Sequence, residues 1–316
     1  MPQPFTGIRI GHTTVSEHHT GCTVFLCPPN TYGSVDARGP APGSREFALL
    51  AADKPEDKPV NAVVLTGGSA FGLATADGVM RYLAERGIGY PTPITPVPIV
   101  PAAVVFDLGF NLGRFRPGPA EGYAACEAAA SGAAVGQGNV GAGAGVTVGK
   151  WGGFMGAMKG GFGLAEFVVG DLVVAAAAVV NAVGDVVGAD GVVLAGARDV
   201  ERGEGWLAER VPLRYVEWPP APVWGTNTTL VLVATNAQLS RSELARLSQQ
   251  AHNGLAIAVR PSHTRHDGDV AFALMTGETA APPGLVQTMA VEATAEAIRN
   301  AVRHASTVEG VPGLAG

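Results

Sequence analysis

The chain has 316 residues, 47% of them apolar and only 15% charged, with a net charge of −6. Such a length and composition supply a full hydrophobic core and exclude a disordered chain. Acidic and basic residues are mixed along the sequence, with no basic stripe interleaved with aromatics, so a nucleic-acid partner is not expected.

Sparse charge on so long a chain fits either surface buried again between subunits or a bulky core. The 44 glycines favour close backbone packing. Three cysteines, Cys22, Cys27 and Cys126, form no disulfide framework, which points to a reducing compartment. The opening "MPQPFTGIRIGHTTV" lacks a basic stretch followed by an apolar one, so no signal peptide is read. The most apolar segments are broken by Asp, Asn and Gly, and none reads as a membrane span. A soluble, cytoplasmic protein is the expectation.

In chain order, "GIRIGHTT" and "GCTVFLCPP" read as short strands closed by Gly and Pro. "GSVDARGPAPGSREFALL" reads as a loop leading into a helix, and "NAVVLTGG" as a buried strand. "SAFGLATADGVMRYLAERG" reads as a helix with Leu73, Val79, Met80 and Leu83 near one face and Gly87 as its stop. "PTPITPVPIVPAAVVFDL" is punctuated by proline, so its early part is neither central strand nor helix interior. "AEGYAACEAAASG" is helical. Glycine dominates from Gly132 to Gly163; a dinucleotide-binding loop needs a strand before the glycines and a helix opening on them, and the context favours tight turns instead.

"FVVGDLVVAAAAVVNAVGDVVG" reads as a hairpin and a buried strand ending near Asn181. "RDVERGEGWLAERVPLRYVEWPPAPVWGTN" is the most linker-like stretch. "TTLVLVAT" is apolar on both faces, as a central strand is. "LSRSELARLSQQAHNGLAIAV" is a helix with a Ser240/Glu243 capping box and a Leu244, Leu247, Ala251, Leu255 stripe. "DVAFALMTG" is a strand and "GLVQTMAVEATAEAIRNAVRHAS" a long closing helix, giving a mixed α/β chain.

Chemistry concentrates at a few positions. Asn227-Thr228-Thr229 matches a glycosylation acceptor, which has no meaning without a secretory route, and also reads as a plain turn before a strand. A third reading is self-cleavage between Asn227 and Thr228. The threonine hydroxyl attacks the preceding carbonyl, water cleaves the resulting ester, and Thr228 is left with a free amine that serves as its own base. Asp267-Gly268-Asp269 sets two carboxylates on one face if extended; they suit orienting an amine and a hydroxyl, holding a metal with His263 or His266, or simply a turn. Lys150, alone among small and apolar residues, either snorkels to the surface or is buried to keep a neighbouring amine neutral. Asn181 either closes a strand or donates its amide to an oxyanion. Glu17-His18-His19 with Cys22 matches no standard zinc spacing and reads as a solvated loop. His252 and His304 fall on helices with no function assigned.

The whole set, from "GIRIGHTT", "TGCTVFL" and "VDARGPAPGSRE" through "NAVVLTGGSAFGLATADGVMRYL", "VGAGAGVTVGK", "AMKGGFG" and "VVNAVGDV" to "GTNTTLVLVATNA" and "HTRHDGDVAFALMTG", resembles one family in its order. This is the family of self-cleaving N-terminal nucleophile hydrolases that includes the L-aminopeptidase/D-alanine esterase-amidases, the β-peptidyl aminopeptidases and the nylon-oligomer (6-aminohexanoate-oligomer) endohydrolases.

The resemblance implies an α/β fold, a four-layer α/β/β/α sandwich of the self-processing N-terminal nucleophile type. It implies one hydrolase domain cut into an α chain, residues 1–227, and a β chain, residues 228–316, assembled as homo-oligomers, tetramers or larger. Thr228 matches the nucleophile, Asp267 and Asp269 the pair that orients it, and Lys150 and Asn181 the active-site lysine and oxyanion asparagine. Two aspartates are the nylon-oligomer pattern; the aminopeptidase branch has Ser and Glu there. No metal or organic cofactor is implied, and the substrate is a small amide or peptide. One departure concerns the "GGSxYGL" tyrosine: here Phe71 stands in that place and cannot donate a hydrogen bond. Either another group takes that role, or Phe71 is a wall of the substrate pocket and the substrate differs. Linear amide oligomers cut internally are the first expectation. The alternatives are an aminopeptidase restricted to free N-termini, a non-catalytic binding protein on the same fold, and a cofactor-binding oxidoreductase using the glycine-rich stretch.

Overall fold

Runs of alanine and β-branched residues build the interior of this protein, and the inner strands, Thr20–Leu26, Ala62–Thr66, Leu172–Asn181 and Thr228–Ala237, bury both faces. The computed structural model describes residues 4–51, 59–211 and 226–316. In chain order the strands are β1 (Arg9–Val15), β2 (Thr20–Leu26), β3 (Tyr32–Ala37), β4 (Ser44–Arg45), β5 (Ala62–Thr66), β6 (Ala102–Val104), β7 (Thr147–Val148), β8 (Met158–Lys159), β9 (Phe162–Val169), β10 (Leu172–Asn181), β11 (Asp185–Val187), β12 (Val193–Ala195), β13 (Thr228–Ala237), β14 (Val259–Arg260) and β15 (Val270–Thr279). The helices are α1 (Thr75–Ala84), α2 (Pro119–Ser131), α3 (Leu207–Arg210), α4 (Arg241–Ala258) and α5 (Pro283–Arg303).

One sheet runs β1-β2-β5-β6-β4 and the other β3-β15-β13-β10-β9. Phe25, Val63 and Leu65 of the first meet Ala177, Val179, Leu230, Leu232 and Phe272 of the second between the sheets. The alternate residues face outward: Cys22, Val24 and Val64 against α1 and α2, and Val174, Ala176, Val231 and Ala273 against α4 and α5. The result is the α/β/β/α sandwich. The glycines admit the helices closely, since a Cβ on Gly11 would lie 2.2 Å from the Ala125 carbonyl oxygen and one on Gly163 2.1 Å from that of Ala297. Among the described residues, no helix is long and apolar enough to cross a membrane.

Three expectations change. "GSVDA" is not loop but the edge strand β3, held antiparallel to β15, and "SREFALL" gives the short strand β4 and then a single 3-10 turn whose Phe47 packs edge-on against Phe272 at 5.4 Å. The helix expected from Ser69 starts as a 3-10 turn over Ser69–Ala74, because Gly68 and Ser69 both sit at positive φ. The first part of the linker-like stretch packs on the fold: buried Asp199 accepts from Arg210 Nε at 2.8 Å, beside α3. Its residues 212–225, including Gly225, lie outside the described residues. The glycine run after α2 forms turns; a Cβ on Gly143 would meet the Phe162 nitrogen at 2.3 Å. The capping box of α4 is present, with Ser240 N–H donating to Glu243 Oε2 at 2.7 Å.

Candidate active site

Strand directions gather the chemistry at one end of the second sheet. β10 ends at Asn181 and β13 begins at Thr228, and the antiparallel register makes these two residues partners. β15 runs parallel to β13, so the residues that precede it, Asp267 to Asp269, arrive at the same end. Asn227 and Asp267 continue that pairing as an isolated parallel bridge. Lys150 comes from a 3-10 turn after β7. Thr228 is 6% exposed and Asn227, Asn181, Lys150, Asp267 and Asp269 are 1–2% exposed.

The Thr228 hydroxyl donates to the carbonyl oxygen of Asn227 at 2.6 Å. The backbone N–H of Gly268 donates to the same oxygen at 2.9 Å. The peptide carbonyl before Thr228 is therefore polarised by two donors, with the hydroxyl oxygen beside it. A Cβ on Gly268 would lie 2.9 Å from Thr228 Oγ1 and 2.8 Å from the Ala41 carbonyl oxygen, so the backbone approaches this closely because the residue is glycine.

The two aspartates differ in their surroundings. Asp269 Oδ1 accepts from Thr229 N–H at 2.6 Å, and its Oδ2 from His263 N–H at 3.1 Å and His263 Nδ1 at 2.9 Å. Asp267 Oδ2 accepts from Thr264 N–H at 2.6 Å, while its Oδ1 is buried with no hydrogen-bond partner among the described residues. Burial, and then the charge of Asp269, push the Asp267 carboxyl up to about 7.

Lys150 Nζ donates to Asn181 Oδ1 at 2.7 Å and to the Asn181 carbonyl at 3.0 Å. Burial, reinforced by Lys159, brings the Lys150 ammonium down to about 7 against the pull of Asp267. Asn181 Oδ1 also takes the Thr147 N–H at 3.1 Å, which fixes the amide so that Nδ2 donates to the carbonyls of Thr226, at 2.9 Å, and Phe106, at 3.0 Å. An asparagine amide and a lysine (Nζ at 3.5 Å) thus converge on the Thr226 carbonyl.

A cavity of about 410 Å³ opens beside this cluster, lined by Phe106, Phe110, Phe154 and Val311 with Asp107, Thr147, Lys150, Thr226 and Glu309. Two charged groups at or behind its wall were not singled out from sequence. Asp107 is buried; it accepts from Thr20 Oγ1 at 2.5 Å and Gly68 N–H at 2.7 Å, and burial raises its carboxyl above the usual range. Lys159, behind it, donates to the Ala144 carbonyl at 2.9 Å, lies 4.6 Å from the Phe110 ring centroid and is brought down to about 7 by burial. The signal lay in glycines: a Cβ on Gly67 would lie 2.0 Å from Asp107 Oδ2.

Phe71 is set apart from this cavity: it is 59% exposed, with the Arg116 guanidinium 3.9 Å from its ring centroid. Of the early polar loop, His18 stacks on Phe115, His19 bonds Glu309 at 2.9 Å and Cys22 is buried against the helices. Among the described residues there is no group of three or more His, Cys, Asp or Glu able to hold a metal ion. A larger cavity, about 650 Å³, lies at the β1–β9 edge, but its one carboxylate, Glu166, is engaged by the Phe5 N–H and no hydroxyl or thiol lines it. Chemistry, not size, makes the cluster beside Thr228 the candidate.

Residues 5–315 match the model of "Peptidase family S58". The chain is 38% identical to an uncharacterized aminopeptidase of Mycobacterium tuberculosis, over 97% of this chain and 94% of that one. It is 32% identical to the 6-aminohexanoate-oligomer endohydrolase of Paenarthrobacter ureafaciens, over 88% of this chain and 75% of that one. The solved L-aminopeptidase D-Ala-esterase/amidase of Ochrobactrum anthropi, described as a variant of the Ntn-hydrolase fold, superposes with a TM-score of 0.72 at 20% identity, covering 97% of this chain and 86% of that one. With its sandwich and the residues gathered at the head of β13, the chain belongs to peptidase family S58.

Proposed function

We propose that this peptidase-family protein is a self-processing amide hydrolase whose nucleophile is Thr228. The observation that carries the reading is the Thr228 hydroxyl at 2.6 Å from the Asn227 carbonyl oxygen, with the Gly268 N–H on the same atom. In the processing step Oγ1 attacks the Asn227 carbonyl carbon and the Gly268 amide holds the developing oxyanion. The C–N bond breaks, the Thr228 nitrogen takes the proton, and water hydrolyses the ester. Residues 1–227 and 228–316 then remain as one folded αβ unit.

In turnover the free Thr228 amine takes the proton from Oγ1 as it attacks a substrate amide. Asn181 Nδ2 donates to the substrate oxyanion, as it donates to the Thr226 carbonyl in the uncut chain. The leaving amine takes the proton from the Thr228 ammonium, and water releases the acyl group. Asp269 fixes β13 through the Thr229 N–H, Asp267 charge-balances the amine, and Lys150 holds the Asn181 amide in place. Residues 226 and 227 have to withdraw before a substrate carbonyl reaches Asn181.

For substrate we favour linear amide oligomers cut internally, supported by the aspartate pair and the endohydrolase relatives. Exo-cleavage at free N-termini is the second reading, favoured by the Glu309 carboxylate on the cavity wall and by the aminopeptidase relatives. A homotetramer of αβ units is supported by sparse charge and by exposed Phe71, Leu112, Phe154 and Met155; a cytoplasmic setting by three free cysteines. The test is parallel assay of wild type and Thr228→Ala on free-amine anilides and on N-blocked amide oligomers. Turnover of blocked oligomers by wild type alone supports the endo reading, turnover of free-amine substrates alone supports the exo reading, and equal turnover by Thr228→Ala contradicts both.

A further inference from the structure

The carboxylate that anchors the strand behind Thr228 is itself held from the far side. Asp269 Oδ1 takes the Thr229 N–H, and both donors on its Oδ2 come from one residue, His263: the backbone N–H at 3.1 Å and the ring Nδ1 at 2.9 Å. His263 sits at φ 56°, in the left-handed region that a histidine seldom occupies. Such an outlier persists where its surroundings over-determine it, and these cluster at working sites. The ring's other nitrogen, Nε2, is buried with no hydrogen-bond partner among the described residues. Its one ring hydrogen bond is therefore the bond to Asp269.

Behind His263 stands His252 of α4, ring centroids 4.8 Å apart and edge-on. His252 Nε2 bonds the Asp36 carbonyl at 3.0 Å, and burial brings its imidazole down to about 4, so it is a neutral wall. The charged and titratable groups around the pair are Asp267 and, beyond it, Lys150 on the Thr228 side, and Asp36 and Arg38 behind His252. Arg265 and His266 belong to the same loop.

We propose that His263 is a positioning residue for the reaction: it fixes the Asp269 carboxylate by a two-point contact, and so fixes the placement of the group that holds β13 at Thr228. The inference rests on the reading of Thr228 as nucleophile. It gives a role to a histidine otherwise read as a metal ligand or a turn residue. Removing the Nδ1 donor leaves a buried carboxylate with one contact fewer to fix its orientation. The loss then falls on kcat rather than on KM. An Asn side chain places an N–H donor near the position of Nδ1, whereas Leu fills the volume with no donor.

The experiment compares wild type, His263→Leu and His263→Asn for self-cleavage rate, for kcat and KM of the cleaved enzyme and for melting temperature. Expected for His263→Leu is about a 10–100-fold loss in self-cleavage rate and kcat, with KM within about threefold. His263→Asn recovers most of the rate. A folded His263→Leu with wild-type rates overturns the inference while leaving Thr228 as nucleophile intact. If both variants melt early and lose rate alike, His263 is merely structural and the inference fails. A wild-type chain that never cleaves overturns the nucleophile reading and the inference with it.

Discussion

Gly268 N–H and the Asn227 carbonyl oxygen are 2.9 Å apart, and the Thr228 hydroxyl donates to that same oxygen. The bond before Thr228 thus sits in an arrangement that supports charge on its oxygen, supplied by a loop residue whose lack of a side chain permits the approach.

That relationship makes Gly268→Ala informative. Its Cβ would come 2.9 Å from Thr228 Oγ1 and 2.8 Å from the Ala41 carbonyl oxygen, so the loop has to retreat and the N–H with it. Loss of one oxyanion donor costs about 10²–10³-fold in rate. Self-cleavage slowed by at least about tenfold, followed on denaturing gels over time, is the expected outcome; an unchanged rate removes Gly268 from the processing step.

Asn181→Ala separates processing from turnover. Asn181 Nδ2 faces the Thr226 carbonyl, not that of Asn227, so in the proposed mechanism turnover depends on it more than the cut does. We expect kcat of the cleaved enzyme to fall about 10²–10³-fold, with a smaller effect on self-cleavage. Burst and steady-state kinetics on one anilide check this.

Three buried groups give the fold a defined pH dependence. Lys150 and Lys159 are brought down to about 7 in the folded chain, against about 10.4 when unfolded. Their stabilising contribution is complete above the unfolded value and is lost as pH falls through about 7. Asp267 is pushed up to about 7; its contribution is complete below about 4 and is lost as pH rises through about 7. These three groups therefore put a minimum near neutrality, with stability rising from about pH 7 to 9, where the buried thiols begin to oppose it. Denaturant unfolding of Thr228→Ala at pH 5, 7 and 9 measures it.

Lys150→Met follows from the same shift. Removing a cation that burial disfavours stabilises the chain by about 1–3 kcal/mol below pH 7, after allowing for the lost bonds to Asn181, and the gain fades above about pH 10. Activity falls, because the Asn181 amide loses its clamp. A variant both less stable at pH 6 and fully active contradicts the role given to Lys150.

Much of this was legible from sequence because it depends on local runs. The β-branched run "TTLVLVAT" reads as a central strand, and β13 lies at the centre of its sheet. The Ser240/Glu243 box marked the start of α4. The placement of Thr228, Asn181 and Asp267 side by side follows once β10, β13 and β15 pair in register.

What was not legible depends on long-range approach. β3 carries no strong strand signal and exists because β15 offers an edge. Asp107 and Lys159 are isolated charges in sequence, and their burial around Thr20 and Ala144 appears only when distant loops meet. The Gly268 donor is backbone, which no side-chain motif announces. Phe71 followed a motif position, yet its ring lies outward on Arg116 rather than in the cavity wall.

Intact-mass measurement of the purified wild-type protein, beside Thr228→Ala, tests the central claim most directly. The account predicts two wild-type chains ending at Asn227 and beginning at Thr228, and a single uncut chain for the variant. A wild-type chain that stays whole after long incubation, or a Thr228→Ala chain cut at the same bond, contradicts it.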